Sequence, residues 1–154
     1  MLDYKTLGLE EAQRVIDAVI AYAREIDHPG IAVCVVDKGG EIIALARMDG
    51  KAARFTRAAH RKAYTGAIFE RDTKGVIKFW DGQAKQGHRG PTDWNDTMIT
   101  TLPGGYVVCH GKDVVGGVGV AGGNQQFSDE AFAELAIEAL GEGFRHRVDW
   151  EQGR

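Results

Sequence analysis

Proline and cysteine are scarce in this chain of 154 residues, at three and two. So few prolines exclude a proline-rich linker, and two cysteines cannot build a disulfide framework. Cys34 and Cys109 each sit inside an apolar run, as buried small hydrophobes do. No apolar run approaches the roughly 18 residues of a membrane-spanning helix. The opening Met1-Leu2-Asp3-Tyr4-Lys5 lacks a basic stretch followed by an apolar one, so no secretory signal is expected. Without signal or cysteine framework, the expected location is a reducing cytoplasm. Net charge is also small. At −3, with a pI near 5.9, the chain lacks the broad basic face that nucleic acid or an anionic membrane requires, and neither partner is expected.

Glycine, by contrast, is in excess: 21 residues, about twice the usual share of roughly 7%. There is no G-X-Y period, and 44% hydrophobic with 27% charged residues describes one globular domain with a real core. Leu9, Ala12, Ile16, Val19, Ala23 and Ile26 recur at 3-4 spacing, which predicts an amphipathic helix that stops before Pro29. Ile31 to Val36 is a short β-branched run typical of a strand buried on both faces. Asp37-Lys38-Gly39-Gly40-Glu41 turns it into an antiparallel partner over 42–48.

A second helix is predicted over 54–69, where Ala58, Ala59, Ala63, Gly66 and Ala67 permit close packing. Residues 70–95 have mixed polarity and several glycines, and read as short helical turns and loop. A second hairpin spans 106–109 and 114–121, with His110 at its solvated tip. Ser128 is a natural N-cap for a last helix opening on Asp129 and Glu130. Helix, hairpin, helix, loop, hairpin, helix is an α+β order with an antiparallel sheet. The domain is expected over 1–144, followed by a polar, peripheral tail at 145–154.

Gly117-Val118-Gly119-Val120-Ala121-Gly122 fits the dinucleotide pattern G-x-G-x-x-G in letters only. Its glycines alternate within a strand-like run, and the following helix opens on two acids that repel phosphate. Glycines there allow another backbone or a ligand to come close. The five histidines show no H-x-x-x-H spacing and the cysteines no C-x-x-C, so no metal site is expected. His28 follows the first helix, where an imidazole suits the helix C-terminus. The sharper constellation is Arg47-Met48-Asp49 leaving a strand, with Lys62 on the next helix. An arginine fork there suits a carboxylate ligand; an Arg47–Asp49 or Asp49–Lys62 ion pair fixing the turn explains the same residues.

Several segments in register, Val35-Val36-Asp37-Lys38-Gly39-Gly40, Arg47-Met48-Asp49-Gly50, Lys62-Ala63, Pro103-Gly104-Gly105 and 116–123 with Asp129-Glu130, resemble the GlcG/HbpS-like family, also known as haem-degrading domain proteins and related to the C-terminal domain of PduO-type corrinoid adenosyltransferases. The resemblance spans residues 7 to 141. Where the family often has serine in its G-V-S-G-G stretch, this chain has Ala121, so no hydroxyl acts there. The resemblance implies a single-domain, profilin-like α/β/α arrangement assembled into homo-oligomers.

Two functions are compatible with it. One is a small-ligand-binding protein, for haem or another tetrapyrrole or auxiliary to hydroxy-acid or diol metabolism. Arg47, Asp49, Lys62, Gly104 and Gly105 would then line the ligand, and His28, or else His60, would meet haem iron. The other is a cofactor-independent enzyme of isomerase, lyase or hydrolase type on a small carboxylate or hydroxy compound. In that case the Gly104 and Gly105 N–H groups would stabilise an oxyanion, and Asp49, His60 or Glu130 would move protons.

Overall fold

The computed structural model describes residues 1–150. In chain order it contains α1 (Leu9–Glu25), β1 (Ala32–Asp37), β2 (Ile42–Arg47), α2 (Arg54–Phe69), α3 (Thr73–Ala84), a 3-10 turn (Gly90–Trp94), β3 (Gly105–His110), β4 (Asp113–Ala121), α4 (Asp129–Leu140) and β5 (Phe144–Arg145). The strands form one antiparallel sheet in the order β2-β1-β4-β3-β5. This is the α+β class expected from the element order.

Strand alternation divides the core in two. Val33, Val35, Val118 and Val120 meet Val15, Val19, Phe132 and Ala136 from α1 and α4. Ala32, Cys34 and Val36 point the other way, onto Ala59, Ala63 and Ala67 of α2. Helices thus cover both faces, giving three layers. Burial pushes the Cys34 thiol up to about 12, which leaves it inert.

Alanine and glycine set the spacing on the α2 face. A Cβ on Gly117 would run into the Ala63 carbonyl, and one on Gly119 into the Ala59 carbonyl. The strand backbone therefore lies directly under the helix backbone. Local turn and cap chemistry also follows the sequence. Asp37 Oδ1 accepts from the Gly39 and Glu41 amides at 2.8 and 3.0 Å, and Ser128 Oγ accepts from Ala131 N at 3.1 Å.

Three expectations need correction. The 70–95 segment contains the 12-residue helix α3, whose glycines diluted its pattern. Gly75 is there because the Val148 carbonyl occupies the space a Cβ would need. His110 is half-buried rather than solvated, its ring 4.8 Å from that of Phe144. The segment after Phe144 is not simply peripheral. β5 pairs with β3, the Asp72 amide donates to the Arg147 carbonyl at 2.8 Å, and Arg147 is buried. Residues 151–154 of that tail lie outside the described residues. Among the described residues, no helix is long and apolar enough to cross a membrane, and no group of three or more His, Cys, Asp or Glu side chains is placed to hold a metal ion.

Candidate functional site

Lys62 leaves α2 toward the end of β4 and is 4% exposed. Its Nζ donates to the Val120 carbonyl at 2.8 Å and to Asp129 Oδ2 at 2.7 Å. Asp129 Oδ1 accepts from the Gly123 amide at 2.6 Å. Gly104 closes the same corner: its φ of +106° suits glycine, and a Cβ there would meet Asp129 and crowd Lys62. The partner of Lys62 is therefore Asp129, across the end of the central strand, and not Asp49. This pair ties α2 in one layer to α4 in the other. Gly105 is equally committed, its N–H donating to Thr73 Oγ1 at 3.2 Å, so the Gly104–Gly105 turn does not offer two free amides to an oxyanion.

The outer face of α2 is arranged in the opposite sense. Arg57, His60 and Arg61 stand at i, i+3 and i+4, which places them on one helical face. With Met98 they line a cavity of about 250 Å³. Arg57 also borders a second cavity of about 430 Å³ with Arg47, Ala53 and Thr56. Among the described residues, none of the Arg47, Arg57, His60 and Arg61 side chains has a hydrogen bond or ion pair, and Arg61 Nε is buried without a partner. The acid next to Met98, Asp96, is engaged elsewhere: it accepts from Tyr64 Oη at 2.7 Å and from the Met98 amide at 2.9 Å. The Asp96 bond pushes the Tyr64 phenol up to about 12. Arg47 thus shares a cavity with Arg57, and no ion pair joins it to Asp49 or Lys62 among the described residues.

His28 is 6% exposed and packs edge-on against Phe132, with ring centroids 5.2 Å apart. Its Nδ1 accepts from the Gly30 amide at 3.1 Å, which puts the proton of the neutral ring on Nε2. Nε2 is buried with no hydrogen-bond partner. Burial and, next, the nearby Lys51 charge lower the His28 pKa, despite opposing contributions from Asn124 and Asp129. A neutral ring with Nδ1 accepting and Nε2 protonated offers no lone pair to iron in this arrangement.

The proton-transfer candidates are dispersed. Asp49 is exposed after β2, His60 is on the outer face of α2, and Glu130 is in the first turn of α4, in the other helical layer. No hydrogen bond or ion pair joins them among the described residues.

Sequence reasoning missed a cluster that does converge. His146 Nδ1 meets Asp72 Oδ2 at 2.6 Å, and its Nε2 meets Glu134 Oε2 at 2.9 Å. The ring stacks on Tyr106 with centroids 4.1 Å apart. Burial pushes the Asp72 carboxyl up, and it pushes the Tyr106 phenol up as well. Burial opposes a charge on His146, but the bond to Asp72 and the two carboxylate charges together raise its pKa. With both ring nitrogens and the ring face engaged, this group fastens the C-terminal segment.

Residues 7–138 match the family described as "Haem degrading protein HbpS-like". An uncharacterized 15.0 kDa protein from the dhaT-dhaS intergenic region of Citrobacter freundii is 31% identical over 137 residues, 89% of this chain and 94% of that protein. Among solved structures, HbpS is similar at 27% identity and a TM-score of 0.76, over 92% of this chain and 95% of that one. A PduOC:heme complex shares the fold at 20% identity and a TM-score of 0.74, over 94% and 99% of the two chains. The open cationic face of α2, the glycine-lined sheet and the fastened corner at Lys62 are thus features of a chain that belongs to the HbpS-like family.

Proposed function

We propose that this chain is a small-ligand-binding protein whose ligand is haem or a related acidic tetrapyrrole, held on the outer face of α2. The observation that carries the reading is the group Arg57, His60 and Arg61, gathered around one cavity with no acidic partner among the described residues. Like charges three and four residues apart on a helix repel, so an anionic ligand is the natural counter-charge. The HbpS-like description and the haem complex of a structural neighbour support the choice of haem.

The donor set fits that group. The His60 imidazole makes no hydrogen bond or ion pair among the described residues, so its lone pair is available to iron. Arg57 and Arg61 offer forks to the propionates, and Met98 contributes an apolar wall. When bound, haem supplies an iron centre with ligand-binding and redox chemistry. The chain's part is to present one imidazole and to neutralise the carboxylates. His28 has no such role in this reading, because its available nitrogen carries a proton.

Haemin titration of the purified protein tests this. A saturable, stoichiometric Soret shift is expected, lost or displaced in His60→Ala and retained in His28→Ala. Absence of stoichiometric binding overturns the reading, and loss in His28→Ala alone moves the iron to the other histidine.

A further inference from the structure

The two cavities of the outer α2 face share one wall, Arg57. On one side of it stand Arg47, from the end of β2, and Thr56; on the other stand His60, Arg61 and Met98. Each cavity therefore has a guanidinium of its own, and Arg57 lies between them. The Arg54 guanidinium belongs to neither, since it lies over the Phe55 ring at 4.1 Å. A chain with 22 acidic residues and a net charge of −3 bonds none of its described carboxylates to Arg47, Arg57 or Arg61.

Counter-charge arithmetic follows from that layout. One carboxylate in either cavity pairs with Arg57 and one other arginine, and leaves the third guanidinium uncompensated. Two acidic groups on one molecule, one in each cavity, engage all three. A second acid on the same scaffold also binds as an intramolecular event, which raises affinity without new protein contacts. Thr56 and His60, on the two sides of Arg57, are four residues apart, about 6 Å of helical rise, so a flexible link of a few carbons is long enough to bridge the dividing side chain.

We infer that the outer face of α2 is a bipartite site selective for ligands carrying two acidic groups, with Arg47 and Thr56 receiving one, Arg61 the other, and Arg57 shared. This rests on the placement of the ligand at α2 proposed above, and deepens it by naming the ligand class as diacids. Thr56 adds a hydroxyl donor to the Arg47 cavity.

Adipate and hexanoate have the same carbon count and differ by one carboxylate, so they isolate the second acid. Titrated separately, with amide chemical shifts of residues 54–61 as the readout, adipate is expected to bind at least about tenfold tighter than hexanoate. Arg47→Gln is expected to bring that ratio below about threefold, with adipate losing more affinity than hexanoate. Both side chains at position 47 are on the exposed strand end, so folding is not at stake. Equal affinities for the two acids, both shifting the α2 amides, overturn the bipartite site and leave a one-acid α2 site standing. A diacid preference unchanged in Arg47→Gln overturns the assignment of the second cavity. If neither acid shifts these amides, the same titration with haemin and its dimethyl ester decides: equal binding of the two overturns the bipartite site while α2 binding stands, and no binding of either overturns both.

Discussion

Lys62 and Arg61 are consecutive residues of α2 with opposite surroundings. Lys62 points inward, and its ammonium is held by the Val120 carbonyl and Asp129. Arg61 borders an open cavity, and its Nε is buried with no partner. A buried charge must be paired or the fold loses several kcal/mol, so the inward cation belongs to the structure. A guanidinium at a cavity with no carboxylate is left without a protein counter-charge and can meet a ligand. On this helix the role of a lysine or arginine is set by its partner, not by its residue type or its place in the sequence.

Breaking the inward pair is the severest test of the contrast. Asp129→Ala strands the Lys62 ammonium beside Gly104, and is expected to cost about 3 kcal/mol, read as a lower urea midpoint. Gly119→Ala attacks the same region without touching a charge. Its methyl group would drive into the Ala59 carbonyl, and an overpacked contact of this kind costs about 1–3 kcal/mol.

A third experiment asks whether a charge group away from α2 also serves the fold. The His146 pKa in the folded chain is raised above its ordinary value of 6.5. Stability from protonated His146 is therefore complete below pH 6.5 and drains away as pH rises through the folded value. Asp72, Glu134, Glu130, Tyr106 and Arg147 surround that segment. The urea midpoint of wild type should exceed that of His146→Gln by more at pH 6 than at pH 8.5; a gap independent of pH would show that packing on Tyr106, not charge, holds the segment. The smallest stability effect is expected outside. Arg57→Ala should change folding by no more than about 0.5 kcal/mol while weakening anion binding, and a large loss of stability there would erase the contrast between the two sides of the helix.

Local chemistry was legible in the sequence. Gly117 and Gly119 read as places where a backbone or ligand comes close and the α2 alanines as a close-packing face, though not as partners of each other, and the Asp37 turn and Ser128 cap follow from residue type alone. Lys62 and Gly104 share a corner in the structure with Asp129, which read only as a helix-dipole residue because it lies 67 positions from Lys62. His146 was hidden for the same reason, with 74 positions between it and Asp72. Pairings of that span leave no periodicity. The α2 cations were visible as residues but not as a face, since their significance is the lack of any acid nearby, and only the folded arrangement reveals that.

The strand order has a kinetic consequence. β1–β2 and β3–β4 are hairpins of adjacent strands, and each can close on its own. The sheet becomes whole only when β1 meets β4, a pairing that brings Ala32 opposite Ala121. That step closes the connection from Arg47 to Gly105 with α2 inside it, so folding should wait on the meeting of two preformed halves. Gly117 and Gly119 lie on the strand where the halves join, and their missing side chains are what lets the enclosed helix settle against it. The glycine-rich seam is thus a feature of the assembly route as well as of the finished molecule.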